Sequence, residues 1–157
     1  MPSTYSPNLR LELIGSGEQQ NVWGNTTNYN LGTLIENAIT GYAVLSTIQD
    51  GIDYTLLAFD GSNDEARCMT LWVPPFVVLT TPTNIIAPAV PKMYIITNNS
   101  TGGYPVVISS GGASLGVSIP NGTTRIVFSI GSDFYYAGPT ALQVLTRAGA
   151  TVDVGLN

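Results

Sequence analysis

Few side chains in this chain are suited to chemistry, and none has the company that a reaction needs. Gly112-Ala113-Ser114-Leu115-Gly116 fits the G-x-S-x-G turn that exposes a nucleophilic serine, yet the sequence contains no histidine to take the serine proton. Lys92, the sole lysine, is tied to Ser114 by no motif, so the segment reads as a Gly/Ser turn. With no histidine and the single cysteine Cys68, a transition-metal site would have only carboxylates to use. Asp60, Asn63, Asp64 and Glu65 cluster oxygen donors, but their spacing departs from a calcium loop with its alternating ligands and late Glu. They read as a turn leading into a capped helical turn, with calcium as the competing reading. Asp50 and Asp53 flank Gly51 as another turn. Gly15-Ser16-Gly17 lacks the third glycine of a dinucleotide fingerprint. Carboxylate pairs of the glycosidase kind sit on long parallel β-helices in depolymerases, and this chain is short and shows no sequence repeat. The expectation is a protein that is not an enzyme, with no catalytic residues, no cofactor and no metal.

The positioning elements follow from the bulk composition and the period of the apolar residues. At 157 residues the chain is the size of one domain and large enough to bury a core without disulfides. Charged residues are 10% of the sequence against a usual quarter, while 44% is hydrophobic, so part of the surface is expected to be covered by other copies or by a partner. The net charge of -5 and only five basic residues exclude a phosphate-tracking surface, hence no nucleic acid. One cysteine permits no internal disulfide, and Cys68 reads as a small buried apolar residue. No basic-then-apolar leader opens the chain and no apolar run is long enough for a spanning helix, so neither export by a signal peptide nor membrane insertion is expected.

Residues 1–8, with Pro2 and Pro7, read as an extended N-terminal arm, and residues 9–157 as a single β-rich domain. Leu9-Arg10-Leu11-Glu12-Leu13 alternates with period two and predicts a half-buried strand. Leu31, Leu34, Ile35, Ala38 and Ile39 recur at helical spacing and predict a short helix over about 27–40. Thr26, Thr27 or Asn28 would cap it and Gly41 would end it in a left-handed turn. Its apolar stripe must pack on a sheet or on other copies. Beyond Gly41, branched and aromatic runs predict strands at Tyr42–Ile48, Tyr54–Phe59, Met69–Val73, Phe76–Thr81, Met93–Thr97 and Val106–Ser109. Thr124–Ile130 and Phe134–Ala137 are joined across Gly131-Ser132-Asp133 as a hairpin, and Ala141–Thr146 and Thr151–Val154 complete the set. Many short strands between turn signals predict a mainly β fold, a β-sandwich or jelly-roll-like domain with one short packed helix.

The run Gly17-Glu18-Gln19-Gln20-Asn21-Val22-Trp23-Gly24-Asn25-Thr26-Thr27-Asn28-Tyr29-Asn30-Leu31, continuing through Ile35-Glu36-Asn37-Ala38-Ile39-Thr40-Gly41-Tyr42, resembles the opening of small tail-fibre-like and decoration-type virion proteins of tailed bacteriophages. Asp64-Glu65-Ala66-Arg67-Cys68-Met69, Ala89 to Asn98 and Asn121 to Phe128 resemble the successive blocks of those proteins. Together the blocks cover most of residues 8 to 137. The resemblance implies a non-enzymatic virion structural protein, assembled in the bacterial cytoplasm onto the capsid surface or the tail. It also implies a homotrimer whose partners are itself and the major capsid or tail proteins. Capsid decoration is the first expectation, because the short remainder past Ala137 leaves no room for a shaft and distal head. A short tail fibre, receptor-binding or adaptor protein is the second. A host surface glycan is a further possible partner, with Trp23, Trp72, Tyr29, Tyr42, Tyr104, Tyr135 and Tyr136 as stacking rings, although such residues more often anchor cores and interfaces. The expected interface residues are Pro2, Tyr5, Pro7, Trp23, Tyr29, Leu31, Leu34 and Ile35.

Overall fold

Strand after strand alternates buried and exposed side chains, and this alternation builds two sheets that share one core. A computed structural model of the protein describes residues 2–138, and the strands expected at 141–146 and 151–154 lie outside those residues. The N-terminal part holds β1 (Thr4–Tyr5), β2 (Glu12–Leu13) and a continuous helix made of α1 (Trp23–Tyr29), a π-helical segment (Asn30–Ile35) and α2 (Glu36–Thr40). There follow β3 (Tyr42–Val44), β4 (Tyr54–Thr55), a 3-10 turn (Glu65–Arg67), β5 (Thr70–Val73) and β6 (Thr83–Ile86). The last strands are β7 (Pro91–Asn98), β8 (Val106–Ser109), β9 (Val117–Ile119), β10 (Thr123–Ile130) and β11 (Phe134–Tyr136).

The five-stranded sheet has the order β11-β10-β7-β5-β3 and the four-stranded sheet the order β4-β6-β8-β9. The chain therefore alternates between them from β3 to β8, and neighbours laid down by successive passes are parallel: β3 with β5, β5 with β7, β4 with β6, β6 with β8. Each return to the same sheet takes roughly 23 to 31 residues, within the range of repeat architectures although the sequence shows no repeat. The antiparallel pairs β8 with β9, β7 with β10 and β10 with β11 then close the coil. The fold is thus the expected mainly β sandwich, wired for half its strands as a two-sided coil instead of through hairpins. Leu71, Val73, Tyr94, Ile96 and Val127 from one sheet meet Ile85, Val106, Ile108 and Ile119 from the other in a single core cluster.

Several expected elements differ. The strand at Leu9–Leu13 shrinks to Glu12–Leu13, because Arg10 has a left-handed backbone (φ 51°) and leaves the alternation. The arm is not free: Thr4 and Tyr5 pair with Leu13 and Glu12, and Ser6 and Arg10 close the turn between them. Phe76–Thr81 contributes only a bridge from Val78 to Thr101, whereas β6 and β9 arise where no strand was expected. The helix begins at Trp23, four residues early, with no side-chain cap on its first turn. Gly41 is extended (φ −64°, ψ 148°), not left-handed; glycine is needed because a Cβ would collide with the Asn37 carbonyl.

The apolar stripe is only partly buried. Leu34 is 0% exposed and Ala38 is buried, whereas Leu31 and Ile39 are 57% and 62% exposed. Two causes act together. The π-helical turns between Asn30 and Ile35 advance fewer degrees per residue than an α-helix, which swings Leu31 away from Leu34. Polar tethers then fix the roll: Asn30 bonds the Glu12 backbone through both its amide atoms, Asn37 donates to Asn63, and the Asn63 amide donates to the Tyr29 hydroxyl. Leu34→Ala should lower stability by about 2 to 5 kcal/mol while Leu31→Ala stays within about 0.5 kcal/mol. Denaturant unfolding of the two variants measures the contrast, and equal losses would contradict the observed roll.

Candidate functional site

The residues that were candidates for chemistry are absorbed into turns and anchors. Ser114 Oγ donates to the Gly111 carbonyl at 2.8 Å and accepts from the Ser110 amide at 3.1 Å, which closes a tight turn. Asp64 is fully buried and caps the 3-10 turn by accepting from the Arg67 amide at 2.7 Å. Its carboxylate also takes two bonds from Arg10 and one from the Phe59 amide, so the capped-turn reading of Asp60 to Glu65 describes the local structure. Glu65 is held by the Tyr54 hydroxyl and the Leu57 amide, while Asp60 and Asn63 are exposed. Among the described residues, no cluster of acidic, Cys or His side chains has the geometry to hold a metal ion. Asp50 accepts from the Thr80 and Thr81 amides and hydroxyls, and these bonds hold its carboxyl below the usual range. Asp53 accepts from Asn84, so both acids tie the turn after β3 to the strand β6.

Cys68 and Lys92 lie near each other at the start of β7. Burial raises the Cys68 thiol and Asp64 adds to the shift, which leaves it protonated and a poor nucleophile. Lys92 places its Nζ 4.9 Å from the Tyr94 ring centre. Burial lowers its ammonium to about 8, with Arg10 and Arg67 acting in the same direction.

What remains is a surface. The side chains of the five-stranded sheet that point away from the core form rows across the strands, fixed by the register. Thr97 faces Thr124, Ile95 faces Ile126, and Met93 faces Phe128, which in turn faces Tyr135. On the other flank Trp72 pairs with Thr97 and Val44 with Trp72, while Thr70 lies between Tyr42 and Ile95. Among the described residues this outer face carries rings, branched aliphatics, one methionine and threonines, and not one charged residue. Tyr42 stacks on Trp72 at 6.1 Å, Phe128 on Tyr135 at 5.5 Å, and the Thr97 and Thr124 hydroxyls bond at 2.8 Å. Ile126 and Ile130 are 43% and 64% exposed, and Tyr42, Val44 and Met93 are exposed as well. The opposite sheet differs: its outward positions include Asn84 and Ser118.

The face runs out to an open edge at β3. The ladder to β5 uses the Gly41 carbonyl and the Leu45 amide, so the intervening Tyr42 and Val44 amides point away from β5. An open cleft of about 300 Å³ lies beside this edge, lined among others by Tyr42, Val44, Leu57, Phe59 and Asn63.

The expected interface residues fall elsewhere and divide. Pro2, Tyr5, Pro7, Trp23, Tyr29 and Leu31 are exposed, Ile35 is half-buried, and Leu34 is buried and unavailable to a partner. Of the rings considered for glycan stacking, Tyr42 and Trp72 stack at one edge of the sheet face and Tyr135 lies at the opposite edge; Tyr136 instead lies beside Arg125, 4.8 Å from its guanidinium carbon. The sheet face was missed because strands that are apolar on both sides read as continuous apolar runs, which do not say which side is the core. Among the described residues no helix is long and apolar enough to cross a membrane. Compared with known proteins, the chain matches no family model, no curated protein and no solved structure.

Lys92 yields a pH-dependent prediction. In the folded protein it loses its proton near 8, whereas the unfolded chain holds it to about 10.4, so the unfolded state binds more protons in between and the lysine's penalty fades as pH rises. Lys92→Met should therefore be most stabilising at pH 7 and progressively less so toward pH 10. Urea unfolding of both proteins across that range tests this, and a gain independent of pH would count against it.

Proposed function

We propose that this chain is a non-enzymatic virion structural protein of a tailed bacteriophage, working as a homotrimer that decorates the capsid surface. The observation that supports an assembly role is the charge-free outer face of the five-stranded sheet, since soluble surfaces rarely leave so broad an apolar area uncovered. The four sequence blocks beginning at Gly17, Asp64, Ala89 and Asn121 support the virion setting. Among the described residues a nucleic-acid role finds little support: Arg10 and Arg67 are spent on Asp64, Lys92 is half-buried, and Arg125 lies against Tyr136. Ser114, Asp50, Asp53, Asp64 and Glu65 have structural occupations that account for them without a reaction.

A short tail fibre or receptor-binding adaptor is the second reading. The Gly17 to Tyr42 block, whose fibre-like pattern falls on the helix with Trp23 and Leu31 outward, favours it. In that case the exposed rings would serve a host surface glycan.

Sedimentation equilibrium of the purified protein should give a trimer at micromolar concentration. Antibody detection on separated heads and tails should place the protein with heads. Recovery with tails would transfer the reading to the fibre, and absence from purified particles would overturn the virion assignment altogether.

A further inference from the structure

We propose that copies of this chain assemble with one another through the outer face of the five-stranded sheet, a deepening that rests on the homo-oligomer reading above. The occupant of the face is a second copy of the same chain. Charge is the first reason. The protein carries a net charge of -5, so two copies repel unless they meet where the acids are absent, and this face has none. The acids with known partners lie elsewhere: Asp50 and Asp53 on the turn after β3, Asp133 in the β10–β11 turn holding the Leu115 amide, and Asp64 inside. A charged partner of either sign would find no counter-charge here, whereas a copy brings an equally neutral surface.

Size is the second reason. Two strands of eight residues and three of three or four, at about 4.8 Å spacing and about 3.3 Å rise, give a face of roughly 400 Å². A stable interface needs about 800 Å² from each partner, so the sheet supplies about half of it and the open β3 edge with its cleft adjoins the remainder.

Preorganisation is the third. Tyr42 against Trp72 and Phe128 against Tyr135 are already stacked within the chain, so these rings lose little freedom when a copy covers them. The arm and helix suit the role less well, because Leu34 is buried and the helix is rolled by its own polar tethers.

Ile126→Asp places a carboxylate at the centre of the face, on a side chain that the core does not use. Sedimentation equilibrium should show association weakened on the order of a hundredfold, with circular dichroism unchanged. Ile126→Thr, which suits a strand, keeps the test open if the aspartate variant fails to fold, and it should weaken association by a smaller factor. Phe76→Asp, at a more exposed residue off this sheet, should leave association as in the wild type. A wild-type protein that is monomeric at micromolar concentration would overturn the homo-oligomer reading and this proposal with it. A wild-type oligomer whose folded Ile126 variants associate undiminished would overturn the face alone, as would equal weakening by Phe76→Asp. A wild-type dimer weakened by Ile126→Asp would support the face and change the copy number.

Discussion

The Asp64 carboxylate holds the N-terminal region to the sandwich. It is buried, paired with Arg10 and Arg67, and it also takes the Phe59 and Arg67 amides. Arg67, itself buried, donates to the carbonyls of Leu9, Phe59 and Ser62. One carboxylate and two guanidinium groups thereby fasten three stretches of chain that share little apolar contact. Burying such a cluster is expensive by itself, and replacing a whole ion pair with apolar groups is often neutral or better. Its value lies in position: residues 9–10 and 59–64 have few branched side chains to pack, so charge-assisted bonds do the joining. Burial disfavours the charged form of Arg67, while Asp64 opposes that shift, as expected of a cation retained inside only by its partner.

The sandwich itself depends on a different kind of constraint. A chain that crosses between sheets on each pass must cross over a turn each time, and these turns are pinned individually. Asp50 pins the first to Thr80 and Thr81; Gly102 passes so close to the Leu79 carbonyl that any side chain there would collide with it. Asn98, buried at the end of β7, donates to the Tyr104 and Ile119 carbonyls and accepts from Ser100, which anchors the next crossing and the return strand together. Asp50 and Asn98 are polar solutions beside and inside an apolar core, and the partners of each fix one path of the backbone.

How much of this was legible varied with the physics involved. Val106–Ser109, the hairpin across Gly131-Ser132-Asp133 and the capped turn after Asp64 depend on neighbours in sequence, and local pattern sufficed for them. Parallel pairing did not show, because turn residues such as Asp50-Gly51 look the same whether the chain turns back beside itself or crosses to the facing sheet. The helix was legible in kind but not in roll: its stripe was apolar on both the covered and the uncovered flank, and Asn30 and Asn37 chose between them. The same ambiguity hid the sheet face. Met93 and Ile95 alternate with Tyr94 and Ile96, all apolar, so only the three-dimensional arrangement separates core from surface. Ser114 was legible as a turn residue, since the glycines beside it favour a tight turn, and its hydroxyl closes that turn on the Gly111 carbonyl.

The two-sided coil carries a consequence for how such a molecule is made and how it can change. Each parallel pairing joins residues far apart in sequence, so the sandwich has high contact order and its assembly must follow the slow closure of long loops rather than fast local hairpins. Synthesis from the N-terminus offers a remedy, for β3 and β4 emerge first and each later pass finds a strand already in place to lie against. Among the described residues the later strands differ in kind: β9, β10 and β11 run antiparallel to their neighbours. Among the described strands β3 and β4 stand at the outer edges of their sheets, so one more parallel pass laid against them would lengthen both sheets at once.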